Sequence, residues 1–255
     1  MAEGCFFSRV EKKYLLNTQQ YQRLTQCMEP YMQADEYGEH TICNLYLDNE
    51  EYDLIRTSIS KPVYKEKCRI RSYGVPDKND RVFMELKKKY EGIVYKRRTS
   101  MTLRESKVYL GHGISPLPKD QVLREIDYFI HFYQAYARVY IAYDRIAYAG
   151  KKDPDLRMTF DKNIRSRFTD LDLSHGTYGD PLLEEGQYLL EIKAAGAYPV
   201  WLARALSETG ICPVSFSKYG RVYEKNEAEK RENKEKSTIE KNNNRKKQVK
   251  RSHLI

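Results

Sequence analysis

The sequence predicts an α+β protein: a closed antiparallel β-barrel with helices packed outside. Two observations carry that expectation. Many short segments alternate between charged and apolar residues, and only a few show helical spacing. A third adds the closure. The charges on the alternating segments are mostly Lys and Arg and fall on one parity, and a sheet of many strands tends to curl or close.

In chain order, the first strand covers 6–15, with Arg9, Glu11 and Lys13 on one face. Asn17 or Thr18 caps a helix to about Met32, with Tyr21, Leu24, Cys27, Met28 and Tyr31 on one side. A strand over 41–47 leads to Asp48, which can cap a short helix through Tyr52, Ile55 and Arg56. Strands follow over 63–73, 81–90 and 93–101, the last two joined by a tight hairpin at Tyr90-Glu-Gly-Ile93. Thr102 and Gln121 start helices over 103–110 and 121–133. Further strands cover 137–148, 156–162, 187–194 and 216–223, and a helix follows Pro199 through Trp201 and Leu206.

Successive strand side chains point to opposite faces. In 63–73 the odd residues Lys65, Lys67, Arg69 and Arg71 are basic, while Glu66, Cys68 and Ile70 face the other way. Glu85, Lys87 and Lys89 oppose Val82, Met84 and Leu86; Lys96 and Arg98 share a face. Arg157 and Asp161 oppose Met158 and Phe160, and Glu191 and Lys193 oppose Leu190 and Ile192. A barrel closed with these faces inward is a tunnel lined with cations and a few carboxylates. Converging Lys and Arg suit a chain of phosphates, and a carboxylate among them suits Mg²⁺ or Mn²⁺ bridging phosphate oxygens.

The chain has 255 residues, with 45 Lys+Arg against 36 Asp+Glu and 40% hydrophobic residues. Residues 226–255 carry +5 of the net +9, without an aromatic residue, so they read as a disordered basic tail, with a frayed helix over the Glu/Lys part as an alternative, after a single domain over 1–225. Five scattered cysteines, odd in number and without a CxxC pair, fit reduced thiols in a cytoplasmic protein and argue against a zinc site. No secretory signal and no membrane-length apolar run is present, and no basic-aromatic stripe suggests a specific nucleic-acid partner.

The segments Arg9-Val-Glu-Lys-Lys13, Asn44-Leu-Tyr-Leu-Asp48, Lys67-Cys-Arg69-Ile-Arg71-Ser-Tyr-Gly74, Phe83-Met-Glu-Leu-Lys87, Leu190-Glu191-Ile-Lys193 and Ser215-Phe-Ser217-Lys218-Tyr form an ordered series. Together they resemble the VTC domain of vacuolar transporter chaperone polyphosphate polymerases, within the triphosphate tunnel metalloenzymes. The resemblance implies that Lys13, Lys67, Arg69, Arg71 and Lys87 bind phosphates, with Tyr143, Arg145 and Arg157 as a second group. It implies Glu191 as the ligand for Mn²⁺ or Mg²⁺, and Ser217 and Lys218 as phosphate contacts near a C-terminal strand. Arg9 stands where the superfamily's ExExK pattern has its first Glu, and Ser215 stands where eukaryotic members have Lys. The implied activity is transfer of the ATP γ-phosphate to a growing polyphosphate, with ATP and polyphosphate as partners and a membrane partner as an option. A triphosphatase on the same fold and a non-catalytic polyphosphate-binding module remain alternatives.

Overall fold

The computed structural model describes residues 10–116 and 120–252, from 238 onward as helix backbone alone. One antiparallel sheet organises the chain. Its strands run in the order β11 (Pro213–Val214), β1 (Val10–Leu16), β10 (Tyr188–Ala194), β8 (Arg157–Arg167), β7 (Tyr136–Gly150), β3 (His40–Asp48), β4 (Tyr64–Tyr73), β5 (Arg81–Tyr90) and β6 (Ile93–Thr102). Two short strands join from the side, β2 (Met32–Ala34) on β7 and β9 (Asp180–Pro181) on β8.

The alternation decides what each face does. On one face, Cys68, Ile70, Met84, Leu86 and Tyr140 pack under α3 (Leu103–His112) and α4 (Gln121–Tyr133). Further along that face, Tyr14, Met158, Phe160, Leu190 and Ile192 pack under α1 (Thr18–Met28) and α5 (Val200–Glu208). The local signals explain the helix starts. Asn17 and Thr102 each close a capping box, and the Asp120 carboxylate, rather than Gln121, takes the Leu123 N–H. Glu91 and Gly92, with φ of 47° and 86°, make the expected tight turn between β5 and β6.

The sheet curls into a trough but does not close as a ladder. Among the described residues β6 and β11 are its two ends, which corrects the closed barrel expected from the sequence. Pro213 has no N–H to extend pairing, and the Lys96-Arg97-Arg98 run on β6 repels another strand. Nor do all the helices lie outside. On the concave face, Ile42, Tyr46, Ile141 and Tyr143 pack with Ile55 of α2 (Asp53–Ile59) and with Tyr219 and Val222 of α6 (Lys218–Ser252). Asp48 ties this corner together: its buried carboxylate accepts from the Leu54 and Ile55 N–H groups and from the Tyr219 hydroxyl.

The C-terminal region departs twice from the sequence expectation. Residues 218–223 are helical, not a strand, because Tyr219, Val222 and Tyr223 recur at helical spacing and face the same cluster. The tail expected to be disordered from 226 continues α6 as helix to Ser252. Its stretch 227–236 is rich in the helix formers Glu, Lys and Arg, with pairs such as Lys230–Glu227 at 2.9 Å. Arg9 and Cys5 lie outside the described residues.

Truncating Leu190 tests the assignment of faces. Leu190→Ala should lower unfolding free energy by about 2–5 kcal/mol in denaturant titration, since the side chain is fully buried under α1 and α5. A silent substitution would mean the apolar side of β10 faces the hollow instead.

Candidate functional site

The concave face gathers the cations, in two walls and a floor. One wall is β4–β5–β6, where Lys67 stands across from Lys87 and Arg69 from Glu85, with Lys96 and Arg98 next to them on β6. The other wall is β1–β10, where Lys13 stands across from Glu191. The segment before α6 bridges them. Lys13 Nζ donates to the Phe216 carbonyl at 3.1 Å, and Lys67 Nζ donates to Ser217 Oγ at 3.0 Å. Ser217 also caps α6: its Oγ accepts from Gly220 N–H and its carbonyl from Arg221 N–H. Ser217 and Lys218 therefore stand at a helix N-terminus rather than on the expected C-terminal strand, where the helix dipole adds positive potential.

Carboxylates hold these cations apart from one another. Glu85, 2% exposed, takes Arg69 at 2.7 Å, Lys96 at 3.1 Å, Arg98 at 3.2 Å and Arg71 at 3.6 Å. Arg69 also donates to the Tyr46 hydroxyl, and Arg71 to the Asn44 side-chain oxygen. On the floor, Asp161 is 1% exposed, is gripped bidentately by Arg145 at 2.6 and 2.8 Å, and takes Lys218 at 2.5 Å. The Tyr143 ring lies beneath both cations, 5.1 Å from the Arg145 guanidinium carbon and 4.3 Å from Lys218 Nζ. Tyr143 falls at a register shift between β7 and β8, where an irregular ladder lets one side chain be re-aimed. Glu191 takes Lys193 at 2.7 Å and Lys13 at 3.7 Å.

Titration follows from this crowding. Burial and the neighbouring Lys65, Lys87, Lys13 and Arg69 push the Lys67 amine down to about 7. Lys87 is lowered too, by desolvation and by Lys13 and Arg69, against Glu11 and Glu191. Burial raises the Glu191 carboxyl, but Lys193 and Lys13 overrule it and hold it at about 2. Burial likewise works against Asp161 and Glu85, and their cations keep both below the usual carboxylate range.

The trough therefore brings together Lys13, Lys67, Arg69, Arg71, Lys87, Tyr143, Arg145, Glu191, Ser217 and Lys218. Arg157 shares their face but sits exposed at the rim, across from Lys193. Ser215 is exposed. Sequence reasoning left Glu11, Asp161, Lys96 and Arg98 out of the candidate site, although their parity already assigned them to this face.

The donor set accepts a divalent cation only together with its ligand. No cluster of three His, Cys, Asp or Glu capable of holding a metal exists among the described residues. Glu191 has one unsatisfied oxygen donor beside it, the buried Thr159 hydroxyl across the β8–β10 pair. One carboxylate plus one hydroxyl fits Mg²⁺ or Mn²⁺ whose remaining ligands are phosphate oxygens and water.

Comparison with known proteins agrees with this geometry. A family model described as the VTC domain matches residues 8–227. A search of curated proteins returns no match. A candidate adenylate cyclase from Bacillus halodurans superposes with a TM-score of 0.51 at 16% identity, over 82% of this chain and 93% of that one. A candidate adenylyl cyclase from Hippeastrum, described as having a dominant triphosphatase activity, superposes with a TM-score of 0.50 at 18% identity, over 83% and 93%. At these identities the likeness establishes the fold alone, a large curled antiparallel sheet with helices packed on it.

The depressed lysine gives a test with a defined sign. A lysine held at about 7 instead of 10.5 binds fewer protons folded than unfolded between those values, so its contribution makes stability rise with pH through that window. Lys67→Met should raise the melting temperature below pH 7 and flatten the rise towards pH 10.5. A variant that melts like the parent at every pH would show that burial and the neighbouring cations do not depress Lys67.

Proposed function

The chain belongs to the VTC domain family, and from that premise we propose that it is an ATP-dependent polyphosphate polymerase, moving the ATP γ-phosphate onto the end of a phosphate chain held in the trough. The observation that carries the reading is the convergence of Arg69, Arg71, Lys87, Lys13, Arg145 and Lys218 on one hollow, bridged by Ser217 and Lys67.

Phosphoryl transfer asks a protein for in-line positioning and for stabilisation of charge on the transferred group. Fixed cations supply both. Arg69 and Arg71 are already oriented by Glu85, so they need little rearrangement to grip phosphate oxygens. Arg145 and Lys218, held by Asp161 over Tyr143, form a second grip on the floor. Lys67, Lys87 and Lys13 line the space between the walls and Arg157 extends the track at the rim, which suits an extended polyanion better than a single phosphate. An acceptor that ends in phosphate is already anionic, so no strong general base is needed. Glu191 would hold a Mn²⁺ or Mg²⁺ ion, which neutralises phosphate charge when bound.

Water as acceptor would make the same trough a triphosphatase, and product analysis separates the two. Purified protein with ATP and Mn²⁺ should yield ADP and an acid-labile polymer, with turnover lost on chelation. Free phosphate formed in step with ADP, and no polymer, would reassign the activity to hydrolysis. Arg69→Ala should cut turnover about 10²–10³-fold. Its melting temperature should move less than that of Leu190→Ala, because Glu85 keeps Arg71, Lys96 and Arg98. Undiminished turnover would remove Arg69 from the transfer step.

A further inference from the structure

The odd positions of β4 run Lys65, Lys67, Arg69, Arg71 and then Tyr73, so the cation row ends in an aromatic residue. At that end of the trough the aromatic residues continue. Phe83 and Tyr73 meet at 5.7 Å with their planes at 77°, Tyr73 and His40 at 6.0 Å and 53°, and His40 and Tyr37 at 6.3 Å and 73°. Arg98 links this ladder to the phosphate clamp. Its guanidinium carbon lies 3.9 Å from the Phe83 centroid, Nη2 donates to the Tyr73 hydroxyl at 3.0 Å, and Nε lies 3.2 Å from Glu85, which holds Arg69.

Two features distinguish this ladder from core packing. The rings meet edge-on or tilted, so no parallel ring covers Tyr73, whose centroid the Arg98 guanidinium carbon approaches to 5.9 Å, whereas Tyr31–Trp201 and Tyr21–Tyr188 stack nearly parallel and close on each other. The ladder is also open to solvent, with Tyr73 52% and Tyr37 70% exposed. Along an extended strand Tyr73 lies about 7 Å from Arg71 and about 13 Å from Arg69. That is the order in which an extended nucleoside triphosphate presents its base and its terminal phosphates.

We propose that the Tyr73 ladder is a stacking subsite for the base of a purine nucleoside triphosphate whose phosphates lie on Arg71 and Arg69. This deepens the reading of the trough as a triphosphate site and rests on it. The base stacks on the Tyr73 face, Arg98 keeps Tyr73 and Phe83 in place, and selectivity for purine over pyrimidine comes from the larger stacking area.

Calorimetric titration with a non-hydrolysable ATP analogue and with inorganic tripolyphosphate tests this. Tyr73→Ala should weaken the nucleotide roughly 5- to 150-fold, the range for loss of one base-stacking contact, and leave tripolyphosphate unchanged. Tyr73→Phe, which keeps the ring, should bind both as the parent does. Equal losses for both ligands, or nucleotide binding untouched by Tyr73→Ala, overturn the subsite while leaving the phosphate trough in place. A parent protein that binds neither ligand overturns the trough reading itself.

Discussion

Like charges converge on the concave face, and the molecule depends on how that repulsion is contained. Three buried or half-buried carboxylates do it. Glu85 serves four cations of the β4–β5–β6 wall, Asp161 serves Arg145 and Lys218 on the floor, and Glu191 serves Lys13 and Lys193 on the opposite wall. Each carboxylate is shared, so every cation retains charge that no single partner cancels. Such a site is stable enough to fold and still leaves positive potential in the hollow, the property on which the proposed polyanion binding rests. Burial first, and then the neighbouring Lys65, Lys87, Lys13 and Arg69, depress the Lys67 amine, in keeping with that residual repulsion.

The sheet makes this possible by separating its two jobs. One parity of each strand builds the apolar face under α1, α3, α4 and α5, and the other parity faces the hollow. Where the hollow needs a floor, the same concave parity turns apolar, at Ile42, Tyr46 and Ile141, and receives α2 and α6. The start of α6 is then fixed from three sides, by Asp48 through Tyr219, by Lys67 through Ser217 and by Asp161 through Lys218. An open sheet can hold a trough because this helix start, rather than a final strand ladder, joins the walls.

Much of this was legible in the sequence because period-two alternation reports the face of every strand residue. Arg69 and Leu190 fell on the faces their parity assigned, and the β5–β6 turn and the Thr102 cap followed from local chemistry. What escaped depends on tertiary context. Residues 216–223 satisfy both a strand alternation and a helical spacing, and only the apolar floor selects the helix. Closure of the barrel turned on Pro213 and on the cationic edge of β6, which parity cannot weigh. Asp161 and Glu85 looked like minor members of basic rows, and their work as shared counter-ions emerges only when cations from neighbouring strands and α6 arrive around them.

The claim that crowded cations await a phosphate chain is tested most directly by the protons that move on binding. Tripolyphosphate can be titrated into the ligand-free protein about one pH unit above the Lys67 value of about 7, in buffers of different ionisation enthalpy. There Lys67 is mostly neutral, and an anion placed among Lys67, Lys87 and Lys13 should restore its charge, so the parent should take up more protons on binding than Lys67→Met, in which the ligand's own proton exchange is the same. Equal proton exchange by the two proteins, or no binding by the parent, would contradict the account.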